Sequence, residues 1–165
     1  MAREFLRTLL TPSVRAAQQQ YYARAYPDQG AASGPDTLGP DELEFVEARD
    51  SFYLATISEN GWPYVQHRGG PAGFLTSPSP RELAFADYGG NRQLISVGSL
   101  AQNPRVCLFL MDYAARTRLK ILGDAEVLDA RQHPDLVAST APPGGRKKPS
   151  IDGLICPRTR KRPPC

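Results

Sequence analysis

Two short segments of this chain hold more polar groups than a turn needs. They are Gln66-His67-Arg68-Gly69-Gly70 and Asp87-Tyr88-Gly89-Gly90-Asn91-Arg92-Gln93. The second has the chemistry of a phosphate site. Gly89-Gly90 lets the backbone approach a ligand closely. Asn91 is a good helix N-cap, and the N–H groups that follow it would face an anion. Arg92 adds a full charge and a fork of donors. In the first segment, strand alternation puts Gln66 and Arg68 on one face and His67 on the other. His67 is the candidate for proton transfer near neutral pH. Each feature also has a plainer reading. A Gly-Gly pair after a strand can be only a turn, Asn91 only a cap, and Arg68 a surface ion-pair partner. Arg118 and Lys120 can be solubilising charges. Cys107, inside an apolar strand, reads as a small core hydrophobe. His133, in a loop before Pro134, has no partner in the sequence. No Ser/His/Asp order, metal-ligand cluster, P-loop or dinucleotide glycine fingerprint occurs.

These residues need elements to position them. Residues 13–25 read as a helix, with Val14, Ala17, Gln18, Tyr21, Tyr22 and Ala25 on one stripe and Pro12 at its first turn. Residues 27–39 read as a loop rich in Gly, Pro and Ser. A second helix is expected from Pro40 to about Arg49, with its acids in the first turn. Phe52–Ser58 reads as a buried strand, Asn60-Gly61 as a hairpin turn, and Tyr64–Arg68 as the returning strand. Ala72–Thr76 and Glu82–Ala86 are two more strands around a Pro78-Ser79-Pro80 turn. Asn91–Leu100 is a helix stopped by Asn103-Pro104. Val106–Tyr113 and Arg118–Leu128 are strands, the second with its odd positions apolar or small. Gly123 in its middle suggests a bend or barrel corner. Five or six hairpin-linked strands with few helices predict a mainly antiparallel β fold, a small barrel.

The chain has 165 residues, 41 % of them apolar and 22 % charged, as in one ordinary globular domain with tails. No apolar run reaches the roughly 18 residues of a membrane span. Neither membrane insertion nor a secretory signal is expected. Three cysteines without a CxxC pair fit a reducing cytoplasm. The charge is divided: residues 141–165 hold seven basic residues and one acid, while residues 1–140 carry a net −3. A solvated charge run is the expectation for that tail, and nucleic acid is not expected as a partner. Six prolines and few large apolar side chains predict that the tail adds little to a core. The expected organisation is an N-terminal helix and linker over 1–39, a barrel domain over 40–135 and an atypical Pro/Arg-rich tail over 136–165. That tail is expected to be disordered or to follow a frameshift or truncation.

Several strings together resemble the pyridoxamine 5'-phosphate oxidase-related proteins, which have the FMN-binding split-barrel fold. They are VQHRGGPAGF (65–74), FADYGGNRQLI (85–95), Asn103-Pro104-Arg105, FLMDY (109–113) and RLKILG (118–123). TPSVRAAQ (11–18) resembles one branch of that family, and the match covers roughly residues 5–130. The resemblance implies a six-stranded antiparallel split β-barrel, a homodimer, and FMN at the dimer interface. It implies that Gln66, His67 and Arg68 lie along the flavin. The family's phosphate-binding Ser-Arg-Lys turn corresponds to Asn91-Arg92-Gln93, entered through Tyr88, with Gln93 where the family has lysine. Arg118 and Lys120 correspond to a polar strand offered to the flavin of the other subunit. The family's oxidases end in a strand bearing tryptophan and arginine, whereas Trp62 is the only tryptophan here.

The expected function is therefore an FMN-dependent oxidoreductase acting on a small molecule, with the cofactor supplying the hydride chemistry. The alternative is a binder or sensor for flavin, deazaflavin or haem without turnover.

Overall fold

The computed structural model describes residues 3–27, 30, 37–88, 93–140 and 151–159, with Arg3, Glu4, Tyr88 and 151–159 described through the backbone. The chain divides into two compact units, one containing Met1–Asp36 and one formed by Thr37–Thr159. No helix among the described residues is long and apolar enough to cross a membrane.

The first unit carries helices α1 (Arg3–Leu9) and α2 (Pro12–Tyr22). Thr11 Oγ accepts from the Val14 N–H at 3.4 Å, and Pro12 follows as a preset first turn. The helix ends before the expected Ala25 because Ala23 turns left-handed, at φ 51°. The chain then folds back: the Tyr26 N–H donates to Gln18 Oε1 and Arg15 donates to the Tyr26 carbonyl. No residue of α2 is buried, so the apolar stripe read from its spacing is an exposed one.

The second unit opens with helix α3 (Pro40–Glu47), whose Glu42 carboxylate accepts from the Gly39 N–H at 2.9 Å. Seven strands follow: β1 (Ser51–Ile57), β2 (Pro63–Gly69), β3 (Leu75–Ser79), β4 (Glu82–Tyr88), β5 (Arg105–Asp112), β6 (Thr117–Leu128) and β7 (Ile151–Thr159). Helix α4 (Ile95–Gln102) joins β4 to β5, and helix α5 (Pro134–Ser139) follows β6. All pairings are antiparallel, in the order β2-β1-β5-β6-β7-β4-β3. The chain is thus mainly β, as its hairpin spacing predicts.

The strands obey a period of two. Even positions of β1 (Phe52, Leu54, Thr56) and β5 (Val106, Leu108, Leu110) are buried, as are Ile121 and Ala125 of β6. They meet Phe74, Leu75, Leu83 and Phe85 in one core, with Val46 of α3 among them. Phe52 stacks at 5.8 Å on Phe74 and edge-on at 5.0 Å to Phe85. β1 and β4 are not neighbours in the sheet, so this contact requires the sheet to curl around its own core. The other face of β4 is covered as well: Ala84 packs with Leu128, Leu136 and Val137, two of them from α5. The corner role expected of Gly123 is visible in the ladders. β6 pairs with β5 up to Asp124 and with β7 from Gly123 onward.

Three expectations are corrected. Pro78 lies within β3 and not in a turn, because β3 is an edge strand where a missing N–H leaves no ladder partner unmet. The helix expected at Asn91–Leu100 runs instead from Ile95, since Leu94 before it holds a left-handed φ of 52°. The tail also contributes structure. Pro134–Ser139 is helical, and residues 151–159 form the strand between β6 and β4 in the seven-stranded sheet of the described residues. Composition missed β7 because a short strand held on both sides needs ladder hydrogen bonds more than an apolar pattern.

Candidate functional site

The first candidate segment lies on β2, an edge strand with an open side. Its exposure alternates along Pro63–Gly69, so Tyr64, Gln66 and Arg68 turn inward while Val65 and His67 face out. The structure therefore divides the candidates between two surfaces.

On the inner surface, the Arg68 guanidinium forms an ion pair with Asp87 of β4, and both side chains are largely buried. β2 and β4 are far apart in ladder order, so this pair joins one end of the curled sheet to the other and marks the barrel seam. Arg68 also lies 5.9 Å over the Phe85 ring. Its Nε is buried and has no hydrogen-bond partner among the described residues. Gln66 is anchored beside it: Ser96 of α4, itself 1 % exposed, donates to Gln66 Oε1 at 2.9 Å. That bond takes the amide oxygen and leaves the N–H₂ end of Gln66 as the one presented. Helix α4 begins just there, and its N-cap residue Leu94 gives its first turn no side-chain cap. Uncapped N–H groups make that end favourable to anions.

On the outer surface, one straight cross-strand row runs over four strands. His67 pairs with Tyr53, Tyr53 with Phe109, and Phe109 with Lys120. His67 meets Tyr53 edge-on at 5.6 Å, and Lys120 Nζ lies 5.4 Å over the Phe109 ring. Three strand spacings put His67 and Lys120 roughly 14 Å apart, so they bracket an aromatic strip without touching each other. Arg118 is exposed further along β6, on the same face as Lys120. Cys107 is half-buried on this outer face, not in the core as its apolar strand suggests. Burial pushes its thiol pKa up, against the pull of Lys120. The Tyr113 hydroxyl is raised by its hydrogen bond with Tyr53.

The second candidate segment is described only in part. Gly89, Gly90, Asn91 and Arg92 lie outside the described residues, Tyr88 ends β4, and Gln93 is exposed. The Gly69-Gly70 pair takes its plainer reading. A side chain at Gly70 would strike the Phe74 ring at 2.6 Å, so that small residue makes room for the core and not for a ligand. His133 caps α5 with its carbonyl, which accepts from the Val137 N–H. No cluster of metal-ligating side chains exists among the described residues.

Asp87 and Ser96 are the site residues that sequence reading missed as such. A signal was available for Asp87: it is in phase with Leu83 and Phe85, the core face of β4. A charge in phase with a core face calls for a buried partner.

Comparison with known proteins agrees with this architecture. The family model for pyridoxamine 5'-phosphate oxidase matches residues 38–150, and the chain belongs to that family. No curated protein matches the sequence. Among solved structures, a Lactobacillus delbrueckii protein named for pyridoxamine 5'-phosphate oxidase is similar. Its TM-score is 0.56 at 17 % identity, over 76 % of this chain and 92 % of that one. The group A Streptococcus protein HupZ is similar with a TM-score of 0.56 at 10 % identity, over 74 % and 90 %. An F420 reductase is similar with a TM-score of 0.53 at 18 % identity, over 74 % and 96 %. These likenesses establish a shared fold.

Proposed function

We propose that this chain is an FMN-binding flavoprotein and works as an oxidoreductase on a small molecule, as a homodimer in the cytoplasm. The observation that carries the reading is the inner face of β2. There a largely buried Arg68, whose Nε has no partner among the described residues, stands beside a Gln66 whose N–H₂ end is presented. Buried donors without partners are uncommon and call for an acceptor. FMN supplies acceptors of two kinds, a polar ring edge and a phosphoester, so these residues fit it. Gln66 would donate to the ring, and Arg68 and the uncapped start of α4 would face the phosphate. When bound, the flavin supplies hydride or electron transfer. The protein orients it through Gln66 and Arg68, while His67 faces the opposite surface and would exchange protons only with a molecule bound on the outer strip.

Dimerisation is supported by the outer surface. Val65 is 58 % exposed and Tyr113 70 %, alongside the partly buried Tyr53, Phe109 and Cys107. Such a strip is costly to leave in water. A second copy covering it would bring Arg118 and Lys120 to the interface between the subunits. The free Cys107 thiol suits a reducing compartment. The likeness to an F420 reductase makes a deazaflavin the second ligand to try.

The test is a titration of FMN with the purified protein, followed by quenching of flavin fluorescence. Saturable quenching with one flavin per chain is expected. Fluorescence that stays at its free value through a large protein excess would contradict the reading.

A further inference from the structure

Arg68 is both the strongest cation on the inner face of β2 and the partner of an internal carboxylate. Three features of the pair bear on what it does. First, both side chains are nearly dry, at 13 % and 11 % exposure, so the attraction is little screened by water or salt. Second, Asp87 leaves the guanidinium only partly satisfied, since Nε has no partner among the described residues. Third, Asp87 stands one residue before the end of β4, where the chain leaves the sheet toward the Gly-Gly segment and α4.

We infer that Asp87 is a built-in counter-ion that competes with a ligand's phosphoester for Arg68, and so sets how tightly a phosphorylated flavin is held relative to an unphosphorylated one. This inference rests on the reading of the site as a flavin site. A phosphoester carries close to two negative charges and three strong acceptor oxygens, against one charge on Asp87. It can draw Arg68 away from Asp87 and complete the guanidinium. Riboflavin, which has no phosphate, has nothing to offer Arg68 and leaves the pair closed. Asp87 therefore opposes binding of FMN and not of riboflavin, while keeping Arg68 neutralised and the seam shut when no anion is present.

The experiment titrates FMN and riboflavin separately into the wild-type chain, Asp87→Asn and the double variant Arg68→Gln/Asp87→Asn. Asp87→Ser serves as a second single variant should the amide not fold. Circular dichroism confirms that each protein is folded. Removing the carboxylate is expected to tighten FMN by about tenfold or more. Riboflavin should change by less than about threefold. The gain should vanish in the double variant, where no guanidinium remains to be freed. Equal changes for the two flavins, unchanged or weaker FMN binding, or a gain that survives without Arg68 would overturn the inference while leaving the flavin reading intact. Failure of the wild type to bind either flavin would overturn the flavin reading and this inference with it.

Discussion

At the scale of residues, the site depends on pairs more than on single side chains. Arg68 without Asp87 is an uncompensated buried charge, and Asp87 without Arg68 is the same with the sign reversed. Arg68→Ala should therefore destabilise the fold by about 2–4 kcal/mol, somewhat below the range for fully buried pairs because the seam is not fully dry. Thermal unfolding checks this, and an unchanged midpoint would show that the pair holds nothing together. Two other carboxylates contribute to acid behaviour. Asp112 is held low by the Ala115 N–H and then by Arg49, which it meets at 2.7 Å. Arg131 lowers Asp129 to about 2. Both groups have folded pKa values below their unfolded ones. Their contribution is thus complete above the ordinary carboxylate range and is lost as pH falls from about 4 toward 2. Melting temperatures measured from pH 6 down to 2 should fall in that window. Asp112→Asn should flatten part of the fall. How much of the site was legible also belongs to this scale. Alternation along 64–68 sorted Gln66 and Arg68 from His67. The Arg68–Asp87 and Ser96–Gln66 contacts were not legible, because they join residues 19 and 30 positions apart and depend on how the sheet curls.

At the scale of elements, hairpins were the readable part. Asn60-Gly61 predicts the β1–β2 turn, and Gly61 takes a φ of +85° there. Period-two burial identified β5 and β6 nearly to their ends. What the sequence hid were elements whose reason is tertiary. β3 holds a proline because it is an edge, α5 forms because it covers Ala84, and β7 forms because β4 and β6 both need a partner. β7 is an awkward insert: Pro157 sits opposite Ala125 and brings no N–H to the ladder. Even so, β4 and β6 have no other connection in the sheet order. A chain ending after Ser150 should expose both edges, lose cooperative unfolding and aggregate. Size-exclusion chromatography and a melting curve decide this, and a monodisperse truncated protein with an unaltered melt would show that β7 is dispensable.

At the scale of the whole molecule, the curl of one seven-stranded sheet produces two working surfaces. The inside carries the core and, at its seam, the donors of Gln66 and Arg68. The outside carries the His67–Tyr53–Phe109–Lys120 strip. Family membership rests on residues 38–150, which include every described member of both surfaces. The central claim is that the inner surface holds an FMN. The most direct measurement is an absorbance spectrum of the purified protein from 300 to 600 nm, followed by identification of any flavin released on heating. Paired bands near roughly 370 and 450 nm, with FMN in the supernatant, are the predicted result. A colourless protein that takes up no added FMN would contradict the account.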